Sequence, residues 1–495
     1  MTSDAVAMTY PNRAHEATHC DRLGVRARLF GVAAAPAEKC RVLELGCAGG
    51  ANLVGMALDL PDSEFVGFDV SPEEIATGHA LVDAVGVKNV KLSVKDVMDI
   101  SRIDGEFDFI VAHGLYSWVS ADAQAKILDV FGELLAPNGV AYVSYNTLPG
   151  FYTRAKARDL MRYHTADITD PKKKVAQSLA ALKWLSDSIG EVSTYGKDMA
   201  AELVLLRNTN EGYIFHEHLV EHVSASWFHE LAAAAKTRGL QFLAESEQTT
   251  TPPEALPPAA REVIAKIDDR VRAEQYVDFI VDRRFRATLL CRAERKITPQ
   301  IHVVVVERGF VTAACAIEGD AMDLSEKAVT LTAPQGAKAQ LAQPHLKLAL
   351  GILTSRSPEP MSLVALVDAT RARVALSPRA ASLGDPPGLS SEIAGALLRL
   401  SMFGFVKLRG FAPKVTSTPS ERPVARRLAR VQAKDDTIAT NVWHDPVALS
   451  PTERALVPLL DGTRDKAALI EETKASQRDV EGALARLGRA GLLVG

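Results

Sequence analysis

Between residues 40 and 147, short apolar runs alternate with stretches whose apolar residues recur at helical spacing. That alternation marks a parallel sheet flanked by helices. CRVLELG (40–46) reads as a strand and ANLVGMALDLP (51–61) as a helix stopped by Pro61. SEFVGFDVS (63–71) is a second strand, and PEEIATGHALVDAVG (72–86) a helix with proline in its first turn and glycine at its end. VKLSVKDVM (90–98), FDFIVAHG (107–114) and GVAYVSYNT (139–147) supply three more strands, with the helix AQAKILDVFGELLAP (123–137) before the last. The pattern predicts a doubly wound α/β sheet, whose ligands sit at the carboxyl ends of its strands.

After Pro149-Gly150 the period is helical to about 207. SASWFHELAAAAKTRGLQFLAES (224–246) then reads as helix, glycine stop, strand. A proline-rich break (249–258) and two helical stretches precede the strand RFRATLLCRAE (284–294). Residues 151–223 and 249–283 are therefore expected as helical insertions, and the two late strands as an antiparallel pair completing the sheet. The first domain then runs over 1–297. A middle domain is expected over 298–416, with a small β element from IHVVVVERGFVTAACAI and KAVTLTAP. Its helices end in SSEIAGALLRLSMFGFVKLR, a helix running into a strand, the outline of a winged helix. Residues 417–436 read as a mobile linker or amphipathic helix. Residues 437–495 repeat the winged-helix outline in LSPTERALVPLLDG, DKAALIEETK and DVEGALARLGRAGLLVG.

Composition narrows the class. The 495 residues are 47% hydrophobic and 24% charged, with a formal net charge of −4, values of a globular protein with sizeable cores. Bulk charge does not draw this chain to nucleic acid. No run reaches the roughly 20 apolar residues of a membrane span, and the first fifteen residues lack a signal-peptide core. Five scattered cysteines without a CxxC pair favour a reducing compartment, so a cytoplasmic location is expected.

The chemistry begins at Glu44. LELGCAGG sets an acid, then Gly46, Cys47, Ala48, Gly49 and Gly50, between the first strand and its helix. Small residues let backbone N–H groups approach a ligand. Asp69, followed by Val70, ends the second strand, where a carboxylate accepts both hydroxyls of a ribose. Asp96, followed by Val97, ends the third, where an adenine would lie. NAD sites carry G-x-G-x-x-G with a helix N-terminus turned to pyrophosphate. Here the glycines are compressed and an acid precedes them, which disfavours pyrophosphate and suits an amino acid ammonium. The ligand that fits is S-adenosylmethionine (SAM), with S-adenosylhomocysteine as product. Asn52, just inside the helix, joins the same set.

At these residues the chain resembles the class I SAM-dependent methyltransferases. THCDRL (18–23), LELGCAGGANL (43–53), AHGLYSWV (112–119), VAYVSYNTLPG (140–150), YIFHEHLVEH (213–222) and EQYVDFIVDRRFRATLLC (274–291) are similar to the family that carries a methyltransferase regulatory domain, which includes rickettsial protein lysine methyltransferases. The likeness covers about 10–297 well, and the tail less specifically. Cys20 stands where that family usually has proline, and Gly49-Gly50-Ala51 varies the small-residue turn. The resemblance implies a Rossmann-like sheet, methyl transfer to a protein lysine, and a homodimer. Two alternatives remain at this stage: a small-molecule methyltransferase whose tail serves dimerisation, and a non-catalytic SAM-binding regulatory module.

A lysine acceptor must lose its proton before it attacks, so an aromatic, poorly hydrated pocket is expected. His113, Tyr116 and Trp118 after the fourth strand, and Tyr145 and Asn146 at the end of the fifth, are the candidate catalytic residues. His113 also borders the cofactor. His216, His218 and His222 raise a metal question, since His218 and His222 would share a helical face. SAM chemistry needs no metal and none is expected. HEATH (15–19) matches H-E-x-x-H without an apolar helix around it, and reads as an N-terminal cover over the SAM cleft. Arg422, Arg426, Arg427, Arg430 and Lys434 against Glu421 give +4 over 421–434. With no strongly basic recognition helix, the tail is expected to contact protein, docking or orienting a substrate.

Overall fold

The computed structural model describes residues 12–246, 256–298 and 301–494. Most of the proline-rich break at 249–258 lies outside them. The amino-terminal half is built on a seven-stranded sheet. In chain order come α1 (Cys20–Leu29), β1 (Arg41–Leu45), α2 (Ala51–Asp59), β2 (Glu64–Asp69), α3 (Pro72–Val85), β3 (Val90–Val94), β4 (Phe107–Ala112), α4 (Ala121–Leu134) and β5 (Leu135–Asn146). There follow α5 (Phe151–His164), α6 (Pro171–Ile189), α7 (Thr194–Arg207), α8 (Glu211–Ile214), α9 (Phe228–Lys236), β6 (Leu240–Glu245), α10 (Pro258–Ile264), α11 (Arg270–Val281) and β7 (Phe285–Arg292).

The strand order is β3-β2-β1-β4-β5-β7-β6. Strands β1 to β5 are parallel, and β7 runs antiparallel to both β5 and β6. Strand alternation divides the core into two layers. Val42, Phe65, Phe109, Val140 and Tyr142 face one layer, shared with Leu23 of α1 and Leu53 of α2. Leu43, Ile110, Val143 and Tyr145 face the other, with Ile127 and Phe131 of α4 and Leu231 of α9. Helices α5 to α7 carry a cluster of their own around Met161, Leu182, Met199 and Leu206.

Local signals set the helix ends. Ser71 accepts from the Glu74 N–H, Pro72 occupies the first turn of α3, and Gly86 closes it at φ +73°. β3 is shorter than expected, ending at Val94, and residues 97–99 form a 3₁₀ turn capped by Asp96. The run IHVVVV was expected to be extended. Instead Val304–Arg308 is a short helix, because that turn buries Val305 and Val306 together against the next module's core.

Beyond residue 300 a second core gathers around Val311, Leu348, Leu366 and Leu397. Val25 and Leu29 of α1 also enter it, so one helix serves both cores. Strand Phe310–Ala313 lies between Met361–Ser362 and Val406–Arg409. The last module closes when Val424–Ala425 pairs with Leu493–Val494. Within 417–436 the described chain forms helix Arg427–Asp435, whose Leu428 packs on Val54 of α2 and Val85 of α3. No described helix is long and apolar enough to cross a membrane.

Candidate active site

The carboxyl ends of β1, β2, β3 and β4 converge on one cleft. The turn after β1 is tight: Gly46, Ala48 and Gly50 all take positive φ, at +70°, +45° and +67°. At Gly50 a Cβ would also stand 2.8 Å from Leu92 Cδ1, so glycine is required twice over. The Gly46 and Cys47 N–H groups donate to the Phe68 carbonyl, tying the turn to β2. Asp69 fastens it further, taking the Ala48 N–H at 2.9 Å on Oδ2 and the Ser71 N–H at 2.9 Å on Oδ1.

Glu44 is buried at the root of this turn. Its Oε1 accepts from Asn52 Nδ2 at 2.9 Å, while Oε2 is buried with no partner among the described residues. Burial, with the nearby Asp69 charge, pushes its pKa up to about 8. An enclosed carboxylate oxygen without a donor is costly, and it calls for a cationic or donor-bearing ligand. At the other end of the cleft Asp96 is exposed beside Val70, Val94 and Met98, which are 40%, 52% and 50% exposed. That apolar rim with one acid, with Val97 half-buried next to it, matches the flat face and exocyclic amine of an adenine. Orphan carboxylate, small-residue turn and apolar rim thus fit SAM from its methionine end to its base.

The amino-terminal segment crosses the turn. Asn12 Oδ1 accepts from the Ala51 N–H, and a Cβ at Gly49 would collide with Asn12. The His15 N–H and the Thr18 hydroxyl both donate to Asn52 Oδ1, each at 3.1 Å. The His15 ring lies 4.1 Å from that of His113, and His113 Nδ1 is 2.9 Å from the Tyr142 hydroxyl. Burial and the neighbouring His15 lower His113 to about 3, and burial with Arg13 lowers His15 to about 4. Both rings are neutral at physiological pH, so neither repels a sulfonium.

The candidate acceptor residues divide between the two faces of β5. Asn146 lies on the Tyr142 and Ser144 face, fully buried, and neither its amide oxygen nor its nitrogen has a partner among the described residues. Its backbone N–H is held by Ser117 Oγ at 2.8 Å. Trp118 is half-buried, its indole N–H donating to the His216 carbonyl at 3.2 Å. Tyr145 points the other way into the core, fully buried, with its hydroxyl 3.2 Å from Thr288 Oγ1 and its ring 6.0 Å from that of Tyr116. Tyr116 belongs to the same core layer. Tyr116 and Tyr145 are therefore taken up by core packing, which leaves His113, Trp118 and Asn146 as the candidates for an acceptor pocket.

The histidine spacing is also corrected. Residues 215–219 form a π-turn, and the helix stops there, so His218 and His222 share no helical face. His218 is buried and His222 exposed. Among the described residues no group of three His, Cys, Asp or Glu side chains is arranged to hold a metal. Asn12 and His444 were not singled out in the sequence; they lie far from the turn along the chain, and no local pattern marks them. Thr18 falls within HEATH (15–19), the segment expected to cover the cleft.

The fold and this cleft define a SAM-dependent methyltransferase. The chain belongs to the family that joins such a domain to a methyltransferase regulatory domain and a C-terminal winged helix domain of the PKMT type. The methyltransferase domain matches over residues 36–203, the regulatory domain over 210–292 and the winged helix domain over 421–490. An uncharacterized protein of Rickettsia prowazekii is 30% identical over 490 residues, covering 97% of this chain and 87% of that one. A second from the same organism is 34% identical over 235 residues, 47% of this chain and 94% of its own. The structure of PKMT2 from Rickettsia typhi in complex with AdoHcy superposes with a TM-score of 0.87 at 27% identity, covering 98% of this chain and 100% of that one.

Proposed function

We propose that the enzyme transfers the methyl group of SAM to a protein, on a lysine side chain. The observation that carries this reading is likeness along the whole length, winged helix domain included, to a PKMT whose structure holds AdoHcy. In this reading Glu44, with Asn52, meets the methionine ammonium, Asp69 takes the ribose hydroxyls, and Asp96 with Val70 and Val97 brackets the adenine. When bound, SAM supplies an electrophilic methyl group on a sulfonium, leaving as S-adenosylhomocysteine.

The chain's part is to orient the amine and to keep it neutral. Near pH 7.4 only about one free lysine in a thousand is neutral. The half-buried Trp118 offers an apolar wall that disfavours the ammonium before transfer, and its ring face stabilises the positive charge that develops as the methyl group arrives. The unpartnered Asn146 Oδ1 is suited to accept one amine hydrogen and aim the nitrogen lone pair at the methyl group. His113, held near a pKa of 3, is too weak a base to remove the proton, which leaves through solvent. Labelled SAM incubated with cell lysate, followed by mass spectrometry, tests the reading. Methylated protein lysines support it. Label in small metabolites, or none anywhere, refutes it in favour of a small-molecule enzyme or a SAM-binding regulator.

A further inference from the structure

The carboxyl-terminal domain grips the helix that follows the SAM turn. His444 is fully buried and held at φ +66°, a conformation costly for histidine unless its surroundings impose it. Its Nε2 lies 3.0 Å from the carbonyl oxygen of Asn52, so Nε2 carries the hydrogen and donates. One turn further along α2, Gly55 leaves the ring its space: a Cβ there would stand 2.5 Å from His444 Cε1. Arg426, 1% exposed, donates from Nη2 to the Gly55 carbonyl and from Nε to Asp59 Oδ2 at 3.2 Å. The His19 ring stands edge-on to His444 at 4.9 Å and stacks on Phe411.

These contacts meet at one residue. Asn52 is held at its backbone by His444, and its side chain is shared by Glu44, Thr18 and the His15 N–H. Glu44 and the Asn52 amide stand at the root of the cofactor turn, so a rotation of the first turn of α2 moves the amide off the carboxylate. We propose that His444 is a positioning residue for SAM, fixing α2 through the Asn52 carbonyl, which makes the winged helix domain a working part of the cofactor site. The proposal rests on reading Glu44 and Asn52 as the groups at the methionine end. Because coupling is reciprocal, SAM should in turn tighten the contact between His444 and α2.

The test is calorimetric SAM affinity in full-length protein, for wild type, Asn52→Ala, His444→Ala, the Asn52→Ala/His444→Ala pair, Gly55→Ala and the Gly55→Ala/His444→Ala pair. Circular dichroism melts confirm that each is folded. His444→Ala should weaken SAM at least about fivefold, in the usual range of intersite coupling. Its effect should vanish in the Asn52→Ala background, which a merely structural loss would not do. Gly55→Ala should weaken binding when His444 is present and add nothing when it is absent. His444→Gln, which keeps a donor, should recover part of the affinity, and with Gly55→Ala it carries the test if His444→Ala does not fold. Affinity within twofold of wild type in both His444→Ala and Gly55→Ala, or effects of His444 and Asn52 that simply add, would overturn the proposal while leaving the site intact. Unchanged affinity in Asn52→Ala would instead remove the reading of the site, and the proposal with it.

Discussion

Asn52 donates to one oxygen of Glu44 and leaves the other buried without a partner among the described residues. The pair behaves as a half-filled socket. Without ligand, burial keeps the Glu44 carboxyl protonated up to about pH 8. A bound ammonium requires the carboxylate, so binding below that pH must expel a proton.

SAM affinity should therefore rise between pH 6 and 7.5, where an α-amino group is still largely charged, by at most roughly tenfold per unit. Calorimetry in buffers of different ionisation enthalpy should show proton release on binding. Glu44→Gln should abolish both the release and the pH slope. A wild-type slope retained in Glu44→Gln would contradict the assignment.

His113 and His15 are neutral throughout the physiological range, lowered to about 3 and about 4. Neither titrates between pH 6 and 9. His113→Asn should lower the rate of methyl transfer and leave the shape of its pH profile unchanged. A shift of the profile's midpoint in this variant would show that the ring does ionise in the working range.

Asn146→Ala removes the unpartnered amide from the end of β5 without touching the groups around Glu44. Loss of one oriented hydrogen bond to the acceptor should lower kcat by roughly one order of magnitude. The dissociation constant for SAM should stay within about twofold. A comparable loss of SAM affinity would move Asn146 from the acceptor side to the cofactor side.

Stability rests in part on a buried ionic knot beneath the β5–β7 edge. Arg286 is fully buried, bonded to Glu245 at 2.5 Å, to Asp278 twice at 2.8 Å and to Glu274 at 3.0 Å, and stacked 3.9 Å over the Phe228 ring. Arg286→Met leaves the buried Glu245 without its cation, while Asp278 keeps Arg283 at 2.6 Å, and should cost about 3–5 kcal/mol in urea unfolding. A loss below about 1 kcal/mol would mean that the knot relaxes into water.

The sheet was legible because each of its strands is a short apolar run closed by turn chemistry, as at Ser71-Pro72 and Gly86. The places of Glu44 in β1, Asp69 at the end of β2 and Asp96 just past β3 were legible because each acid interrupts or follows an apolar strand run. The acceptor side was less so. The even residues Tyr142, Ser144 and Asn146 face the His113 side and the odd Val143 and Tyr145 face the layer of Phe131 and Leu231; the polar Ser144 and Asn146 mark that alternation, but over so short a run inside a strand buried on both faces it did not separate Tyr145 from Asn146. The helix ends in a π-turn at 215–219 and Val220 is extended, so helical spacing misplaced His222. His444 meets Asn52 across 392 residues, a separation that periodicity and short motifs do not span.

The account stands most directly on the dissociation constant of SAM for Asp69→Ala, measured by calorimetry beside wild type with melts confirming the fold. Charge-assisted hydrogen bonds to two ribose hydroxyls are worth about 1.5–3 kcal/mol each, so affinity should fall by at least roughly a hundredfold. SAM bound by the folded variant as tightly as by wild type would contradict the account.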